Sequence, residues 1–188
     1  MPFNLPDFRA HLKLGGARPT LFDVTMPFPT SAPNVDASTK LTYTCEAASM
    51  PGVSIGSIVI PYFGRETKWP GDKKFEDWNI TVINDEDFKV RNAFELWYSK
   101  LNSHAGNLRD AAAVEATGWG VDIYIKQYSR TGDPIKGYKM IGAFPVDLGA
   151  IDVAWRDTDR IETFSVRLAY QWWENDQTDG QGGNVLTI

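Results

Sequence analysis

The longest regular pattern in the sequence is an alternation of apolar and more polar side chains over residues 164–172. The apolar members are Phe164, Val166, Leu168, Tyr170 and Trp172. A period of two residues is that of a β-strand and not of a helix. A strand with one apolar and one wetted face is typical of antiparallel sheets, because parallel strands covered on both faces appear as continuous apolar runs. This segment therefore predicts an antiparallel sheet.

The same period recurs in five earlier parts of the chain. The additional strands are predicted at residues 40–46, 58–60, 78–82, 121–125 and 138–144. In the first of them, Leu41, Tyr43 and Cys45 would share a face. Several short alternating strands separated by turn-rich sequence are typical of sandwiches and barrels. The predicted fold class is mainly β, an antiparallel β-sandwich or barrel.

One segment has a helical period. Its apolar residues are Phe88, Val90, Ala93, Phe94, Trp97 and Leu101. Asn84 could accept hydrogen bonds from the first free N–H groups, and the acidic run Asp85–Asp87 would suit the positive end of the helix dipole. We therefore expect one flanking α-helix over residues 85–101, covering an edge or end of the sheet.

Length and composition indicate one globular core. The chain has 188 residues, of which 43% are hydrophobic and 13% aromatic, and chains of this size commonly form a single core. We expect one domain over residues 1–174. The last part, 175–188, is rich in Gly, Asp, Gln and Asn, which predicts a tail that is flexible unless an interface orders it.

The charge and the N-terminal sequence exclude several classes of protein. A net charge of −5 provides no basic footprint for ordinary nucleic-acid recognition. The lone Cys45 cannot form an internal disulfide. Charged residues interrupt the N-terminal segment, and no stretch approaches the length of a membrane helix. These features predict a soluble protein of cytoplasmic origin without a membrane anchor.

No pattern of catalytic or ligand-binding residues stands out. His11 and His104 lie far apart, without ligands at metal-binding spacing. No serine lies in a nucleophile-elbow pattern, and no glycine run has the form of a phosphate loop. The acidic groups at residues 85–87, 157–162 and 176–179 are better explained as a helix start, a hairpin turn and part of the tail. We predict no catalytic residue, metal or cofactor.

Several segments, taken in order, carry a family resemblance over residues 17–174. They are 17–24 (ARPTLFDV), 65–72 (RETKWPGD), 75–86 (FEDWNITVINDE), 142–145 (GAFP) and 161–174. The most specific block is 71–84 with the helical segment after it. Together these segments resemble the tail tube proteins of contractile-tailed bacteriophages. The Pro-rich segment 27–33 and the sequence beyond Glu174 depart from that pattern.

The resemblance implies a structural virion protein and not an enzyme. Such a subunit, like the related tube proteins of type VI secretion systems, forms hexameric rings that stack into a hollow conduit for DNA ejection. The implied partners are further copies of the chain, the contractile sheath, baseplate and tail-terminator proteins, tape-measure protein in the lumen, and DNA that passes without sequence-specific binding. The implied location is the virion tail, after assembly in the host bacterial cytoplasm.

Two apolar segments in turn-rich sequence are candidates for contacts between subunits or rings. They are the loop at residues 49–55 and the segment 63–69. The candidate contact residues are Ser49, Met50, Gly52, Val53, Ile55, Phe63, Arg65 and Trp69. Apolar side chains in turn-rich sequence are exposed in an isolated monomer unless they fold onto its own core, which is the competing interpretation.

Three other functions remain open from the sequence. The chain could form the tube of a tailocin or of another contractile injection system. It could be a small-molecule-binding β-barrel, with inward aromatic side chains lining a cavity. It could also be a hydrolase, for which Asp157 and Glu162 would be the strongest acidic pair.

Overall fold

The computed structural model describes residues 4–114 and 116–175, which are organised mainly as β-strands. The strands are β1 (Phe22–Thr25), β2 (Cys45–Ala48), β3 (Val53–Tyr62), β4 (Arg65–Phe75), β5 (Trp78–Ile83), β6 (Val121–Tyr128), β7 (Pro134–Leu148), β8 (Thr163–Ala169) and β9 (Trp172–Asn175). The helices are α1 (Leu5–His11), α2 (Val35–Thr44), α3 (Lys89–Leu101) and α4 (Ala116–Trp119), with 3₁₀ turns at Lys13–Gly15 and Ala111–Ala113. The predicted tail lies, apart from Asn175, outside the described residues.

Seven strands form one sheet, and the described strand pairs are all antiparallel. The strand order is β1-β6-β7-β8-β5-β2, with β9 also paired to β7. Strand β7 has 15 residues, pairs with β6 and β9 in its first part, and pairs with β8 in its last part. Between the two parts, Gly142 has a φ of 61°, which favours glycine. The mainly β, antiparallel prediction is confirmed.

Alternating side chains from both parts of the sheet meet in one apolar core. The predicted alternation is confirmed in β5, β6 and β8, where the buried residues include Trp78, Ile80, Ile123, Ile125, Val166 and Leu168. The single strand predicted over residues 164–172 is wrong at its end, because β8 stops at Ala169 and Trp172 begins β9 and is 41% exposed. Helix α3 contributes Phe94 and Trp97 to the same core, with their rings stacked 6.3 Å apart. The Trp97 indole N–H donates to the carbonyl of Trp119 at 3.0 Å, which satisfies its polar atom inside the core.

The strand predicted at residues 40–46 is wrong, because α2 occupies most of that segment. Asn34 begins the helix, and its side-chain oxygen accepts a hydrogen bond from the Ala37 N–H at 2.9 Å. Ala37 and Leu41 are buried one helical turn apart, whereas Tyr43 is 83% exposed. Only three apolar positions supported the strand, and so short an alternation does not exclude a helix. The expectation of one helix is also wrong, because α1, α2 and α4 lie where no helix was predicted.

The helix predicted from residue 85 begins four residues later, at Lys89. Asn84 is buried and donates to a carboxylate oxygen of Glu162 at 2.7 Å, so its side chain joins two segments instead of capping α3. The acidic run forms a turn that is held by Lys40 of α2, whose ammonium group donates to Asp85 and Asp87. Hydrogen bonds from Lys40 lower the pKa of both carboxyls. A partner distant in sequence therefore determines this turn.

Candidate assembly interface

Strands β3 and β4 form a hairpin that stands apart from the main sheet. They pair with each other from Val53 opposite Phe75 to Tyr62 opposite Arg65 and constitute a separate two-stranded sheet. Every residue of β3 is exposed, as are the β4 residues other than Gly71 and Phe75. At about 3.3 Å per residue, β3 extends roughly 30 Å. Isolated two-stranded sheets are at best marginally stable in water, so this hairpin requires support beyond its own pairing.

The hairpin root is attached to the core by aromatic side chains. The Trp173 indole N–H donates to the carbonyl of Gly52 at 3.2 Å. The Phe75 ring lies 6.1 Å from that of Tyr170 and 6.4 Å from that of Trp173. The Trp78 indole N–H donates to the Ser49 carbonyl just before the hairpin. These contacts hold the root and leave the distal half in solvent.

A bulge interrupts the ladder near the middle of the hairpin. The register shifts between the Ile55–Lys73 and Ser57–Pro70 pairs. A Cβ added to Gly71 would lie 3.1 Å from the carbonyl oxygen of Gly56, so the close approach of the two backbones leaves little room for a side chain at residue 71. Bulges bend a strand and increase its twist. This one sets the direction of the distal half relative to the root.

The tip is a tight turn with an unusual residue. Phe63 has a φ of 44° and Gly64 a φ of 82°, and positive values at both central residues are those of a type I′ turn. Asn-Gly is the favoured pair there, whereas a bulky side chain at positive φ is an outlier. The Phe63 ring is 92% exposed. The chain thus places a strained aromatic residue at an exposed tip, where the neighbouring Tyr62 ring contacts it at 4.6 Å.

Both faces of the distal half carry exposed apolar side chains. One carries Ile58, Ile60 and Tyr62 beside Trp69. The other carries Val59, Pro61 and Pro70, with Lys68 and Glu66 opposite the first two. Ile58 and Trp69 lie directly opposite each other and are 54% and 58% exposed. A contiguous exposed apolar surface of this kind marks an interaction site. Because apolar side chains are exposed on each face, one partner on one side would leave those on the other side uncovered.

The hairpin differs in charge from the remainder of the chain. Residues 53–75 contain four basic residues and two acidic ones, a net charge of +2. Since the whole chain carries −5, the remainder carries −7. Opposite charge favours association between the hairpin of one copy and the acidic surface of another.

The sequence-predicted contact residues are distributed along the whole hairpin. Ser49, Met50 and Gly52 lead into the root, Val53 and Ile55 begin β3, Phe63 forms the tip, and Arg65 and Trp69 lie on β4. The turn-rich interpretation of these segments is wrong, because most of their residues belong to strands. The root and tip groups lie at opposite ends and do not meet. All eight are exposed in the isolated chain, while their contact role stays a prediction.

Sequence reasoning missed the centre of the apolar surface. Ile58, Val59 and Ile60 are all about half-exposed, although Ile58 and Ile60 alone were predicted to lie on one face of a half-buried strand. The signal was present in the intervening Val59, because an apolar residue on the second face indicates a strand covered on both sides. The covering groups do not come from the described part of the same chain.

The acidic pair considered for hydrolysis is not built as a catalytic site. Asp157 and Glu162 lie in an irregular segment after β7 and line a shallow depression with Arg160. This segment connects the antiparallel strands β7 and β8, as predicted for a hairpin turn, although β7 ends at Leu148 and the connection is therefore longer than expected. Glu162 accepts from the Asn84 amide at 2.7 Å, so it has a structural partner.

Among residues 4–114 and 116–175, no group of three His, Cys, Asp or Glu side chains could hold a metal ion. No described helix has the length and apolar character needed to cross a bilayer. The depressions are surface clefts such as those near Arg18 and Tyr98.

Similarity to known proteins agrees with the exposed hairpin in pointing to an assembling subunit. The sequence profile of the family described as "Phage tail tube protein" matches residues 17–176. The chain belongs to the phage tail tube protein family. It is 28% identical over 159 residues to tail tube protein gp19 of Enterobacteria phage T4, covering 84% of this chain and 91% of that one. It is 27% identical over 166 residues to the tail tube protein of Serratia phage KSP90, with 87% and 92% covered.

The fold of this tail tube family member is also found in contractile injection systems. A chain in the anti-feeding prophage baseplate superposes with a TM-score of 0.62 at 11% identity, covering 85% of this chain and 94% of that one. A chain of the PVC sheath-tube complex, an extracellular contractile injection system in its extended state, gives 0.53 at 15% identity, with 92% and 97% covered. The role of the family is structural.

Proposed function

We propose that this tail tube protein forms hexameric rings that stack into a hollow tube, and that the β3–β4 hairpin makes the contact between successive rings. The observation that carries the proposal is the two-faced apolar surface of the hairpin. Ile58 and Val59 point to opposite faces and are 54% and 45% exposed. A head-to-tail contact that repeats along an axis produces a filament, and a hairpin between two neighbouring subunits would be covered on both faces.

The tube acts as a passive conduit. A ring of subunits closes its sheets against one another, which removes the free edges that β2 and β1 have in the isolated chain. The charge of −7 outside the hairpin would repel DNA phosphates from a lumen, since each neutralising contact would create binding energy that passing DNA must escape. DNA therefore moves through without sequence-specific binding, after the tape-measure protein has left the lumen.

The remaining partners follow from this role. The outer surface faces a contractile sheath protein, and the two ends of the tube meet baseplate and tail-terminator proteins. Subunits assemble in the host bacterial cytoplasm and act in the virion tail. We propose one tube domain over residues 1–174, followed by a tail that assembly orders or leaves free.

A tube in a tailocin or another injection system is the nearest alternative. The superposition on anti-feeding prophage and PVC chains favours it as a second candidate, because the fold serves both kinds of machine. Both alternatives require the same self-assembly. A small-molecule-binding barrel does not, and it would remain a monomer.

Sedimentation velocity of the purified chain tests the proposal, with Ile58→Asp as the disrupting variant. The wild type should form species of at least six copies that grow with concentration, and the charged variant should remain small because burying its carboxylate is costly. Val153→Asp is the matched control, since Val153 is 85% exposed outside the hairpin. Equal assembly by the wild type and Ile58→Asp would contradict the hairpin contact, and a monomeric wild type would contradict the tube.

A further inference from the structure

An apolar groove of about 640 Å³ lies between the end of α3 and the second part of β7. The Trp119 and Phe144 rings meet edge to face at 5.4 Å and form one wall. The volume and the mainly apolar lining are those of a preformed binding cleft. The apolar lining residues are Tyr98, Leu101, Trp119, Phe144, Pro145 and Val146.

The charged side chains of the groove are basic. Its described lining includes His104 and Arg109 and no acidic residue. Asp110, which follows Arg109 in the chain, is paired with Lys100 at 2.6 Å. In the part of the chain that the structure describes, Arg109 therefore has no ion-pair partner. An apolar segment with negative charge would complement this lining.

Acidic side chains line the adjoining depression instead of the groove. That depression shares Tyr98 with the groove and contains Glu95 and Asp147. Glu95 is paired with Arg91 at 2.9 Å. The excess of positive charge is thus on the Arg109 side, which is where the negative charge of an occupant would lie.

The chain itself supplies a segment of this composition beyond β9. Residues 176–184 contain two acidic residues, three glycines and no basic residue, and residues 185–188 read Val-Leu-Thr-Ile. Glycine-rich sequence of this kind is typical of linkers. The family profile ends at residue 176, so the acidic linker and the aliphatic cluster are additions to the shared domain.

We infer that the aliphatic cluster, residues 185–188, docks into the groove of its own chain, with Asp176 and Asp179 on the Arg109 side. The inference goes beyond the proposed tube, because it concerns the free subunit. A segment on a short linker is present at a roughly millimolar effective concentration, so a contact that would be weak between separate molecules is sufficient here. Docking covers the wall formed by Trp119 and Phe144.

The length of the linker permits docking within one chain. Asn175 pairs with Tyr138, and Phe144 lies about 20 Å farther along β7. Residues 176–184 can span up to roughly 30 Å when extended. Strand β9 runs away from the groove, so the linker must reverse direction, for which its three glycines are suited.

Photo-crosslinking of the full chain tests the docking. A benzophenone amino acid replaces Leu186, and chains with and without a heavy-isotope label are mixed at a concentration where sedimentation shows single copies. Mass spectrometry should find residue 186 joined to peptides containing residues 98–102 or 144–146 of the same chain. Heavy–light pairs, products elsewhere or the absence of a product would overturn the inference. The same probe at Gln181, in the linker, is the matched control, and an equal yield from it would also count against docking.

Amide hydrogen exchange gives a readout that does not need the probe. Leu186→Asp removes an aliphatic contact and would place a carboxylate in the groove, so the docked fraction relative to the undocked one should fall about tenfold. Exchange at residues 99–102, at the end of α3, should then accelerate. Gln181→Asp adds the same charge in the linker and should leave this exchange unchanged. Exchange in Leu186→Asp that equals that of the wild type would contradict the docking.

Charge reversal tests the orientation of the tail. Arg109→Glu should lower the yield of the groove cross-link about threefold, as expected for an exposed ion pair, and Asp176→Lys with Asp179→Lys should restore it. Failure of the reversed charges to restore the yield would contradict the placement of these aspartates. The absence of wild-type tubes would defeat the proposed function alone, whereas the absence of the groove cross-link would defeat this inference alone.

Discussion

Trp173 donates its indole N–H to the carbonyl of Gly52 at 3.2 Å, which joins the last described strand to the root of the hairpin. The two residues are 121 positions apart in sequence. The proposed function depends on a hairpin that is held at its root and free at its tip, and this hydrogen bond is one of the few polar contacts that fix the root. Strand β9 therefore contributes to the geometry of the proposed contact surface.

Replacing Trp173 by Phe should loosen the hairpin root. The change removes the indole donor while keeping an aromatic ring, and the loss of one hydrogen bond costs about 1 kcal/mol. For a chain of this size the melting temperature should fall by about 2–4 °C, and amide exchange at residues 53–55 should accelerate. Trp155→Phe is the control, since Trp155 is fully exposed. Unaltered exchange at the root would show that the hydrogen bond is unimportant.

Replacing Phe63 by Asn should separate stability from assembly. Asn tolerates the left-handed conformation that Phe63 adopts at φ 44°, so the isolated chain should gain about 1 kcal/mol in its free energy of unfolding. Assembly should nevertheless weaken, because the exposed ring at the tip is lost. Denaturant unfolding and sedimentation on the same sample measure the two effects. A variant that assembles as well as the wild type would remove Phe63 from the contact.

Gly71→Ala should strain the bulge, whereas Gly56→Ala should be accepted. The new Cβ at residue 71 would lie 3.1 Å from a backbone oxygen, whereas at residue 56 the nearest atom is 3.6 Å away. Because the hairpin is outside the core, we expect little change in the melting temperature. Faster amide exchange along β3 and weaker assembly should appear for Gly71→Ala only. The same result for both variants would contradict a specific role for the bulge.

Tyr98→Phe should stabilise the isolated chain. The Tyr98 hydroxyl is buried and has no hydrogen-bond partner among the described residues, so its removal should relieve a desolvation cost of about 1 kcal/mol. Thermal unfolding at neutral pH measures the change. A less stable variant would indicate a partner for the hydroxyl.

The same tyrosine should make stability depend on pH in alkaline solution. Burial, with a further contribution from Asp147, raises the pKa of Tyr98 from 10.0 to about 12. Between pH 10 and pH 12 the Tyr98 phenol stays protonated in the folded chain but loses its proton in the unfolded chain. The free energy of unfolding is therefore unaffected by this group below pH 10 and falls as the pH rises toward 12. The difference between wild type and Tyr98→Phe should grow over this window. A constant difference would contradict the raised pKa.

The sequence predicted those strands whose local alternation matches their burial in the fold. It failed where contacts with residues distant in sequence determine the local structure. The alternation of β5 and β8 was read correctly because each strand has one buried face. The segment containing Leu41 and Tyr43 was misread because a capped helix places Leu41 inside and leaves Tyr43 exposed. The start of α3 was misplaced because Lys40 and Glu162, far away in sequence, hold the residues before it.

Only part of the exposed hairpin surface could be predicted from the sequence. Trp69 and Phe63 were recognisable as apolar residues without an evident place in a core, and both are exposed. Strand β4, which carries Trp69, was not predicted, and only residues 58–60 of β3 were, since apolar side chains on both faces obscure the alternation that reveals a half-buried strand. What covers those faces is not encoded in the local period.

A cryo-electron microscopy map of the assembled protein tests the central claim most directly. We expect stacked sixfold rings around an open lumen, with both faces of the β3–β4 hairpin buried and Phe63 in contact with a subunit of the neighbouring ring. A tube in which the hairpin remains in solvent, or a preparation that contains only monomers at high concentration, would contradict the account.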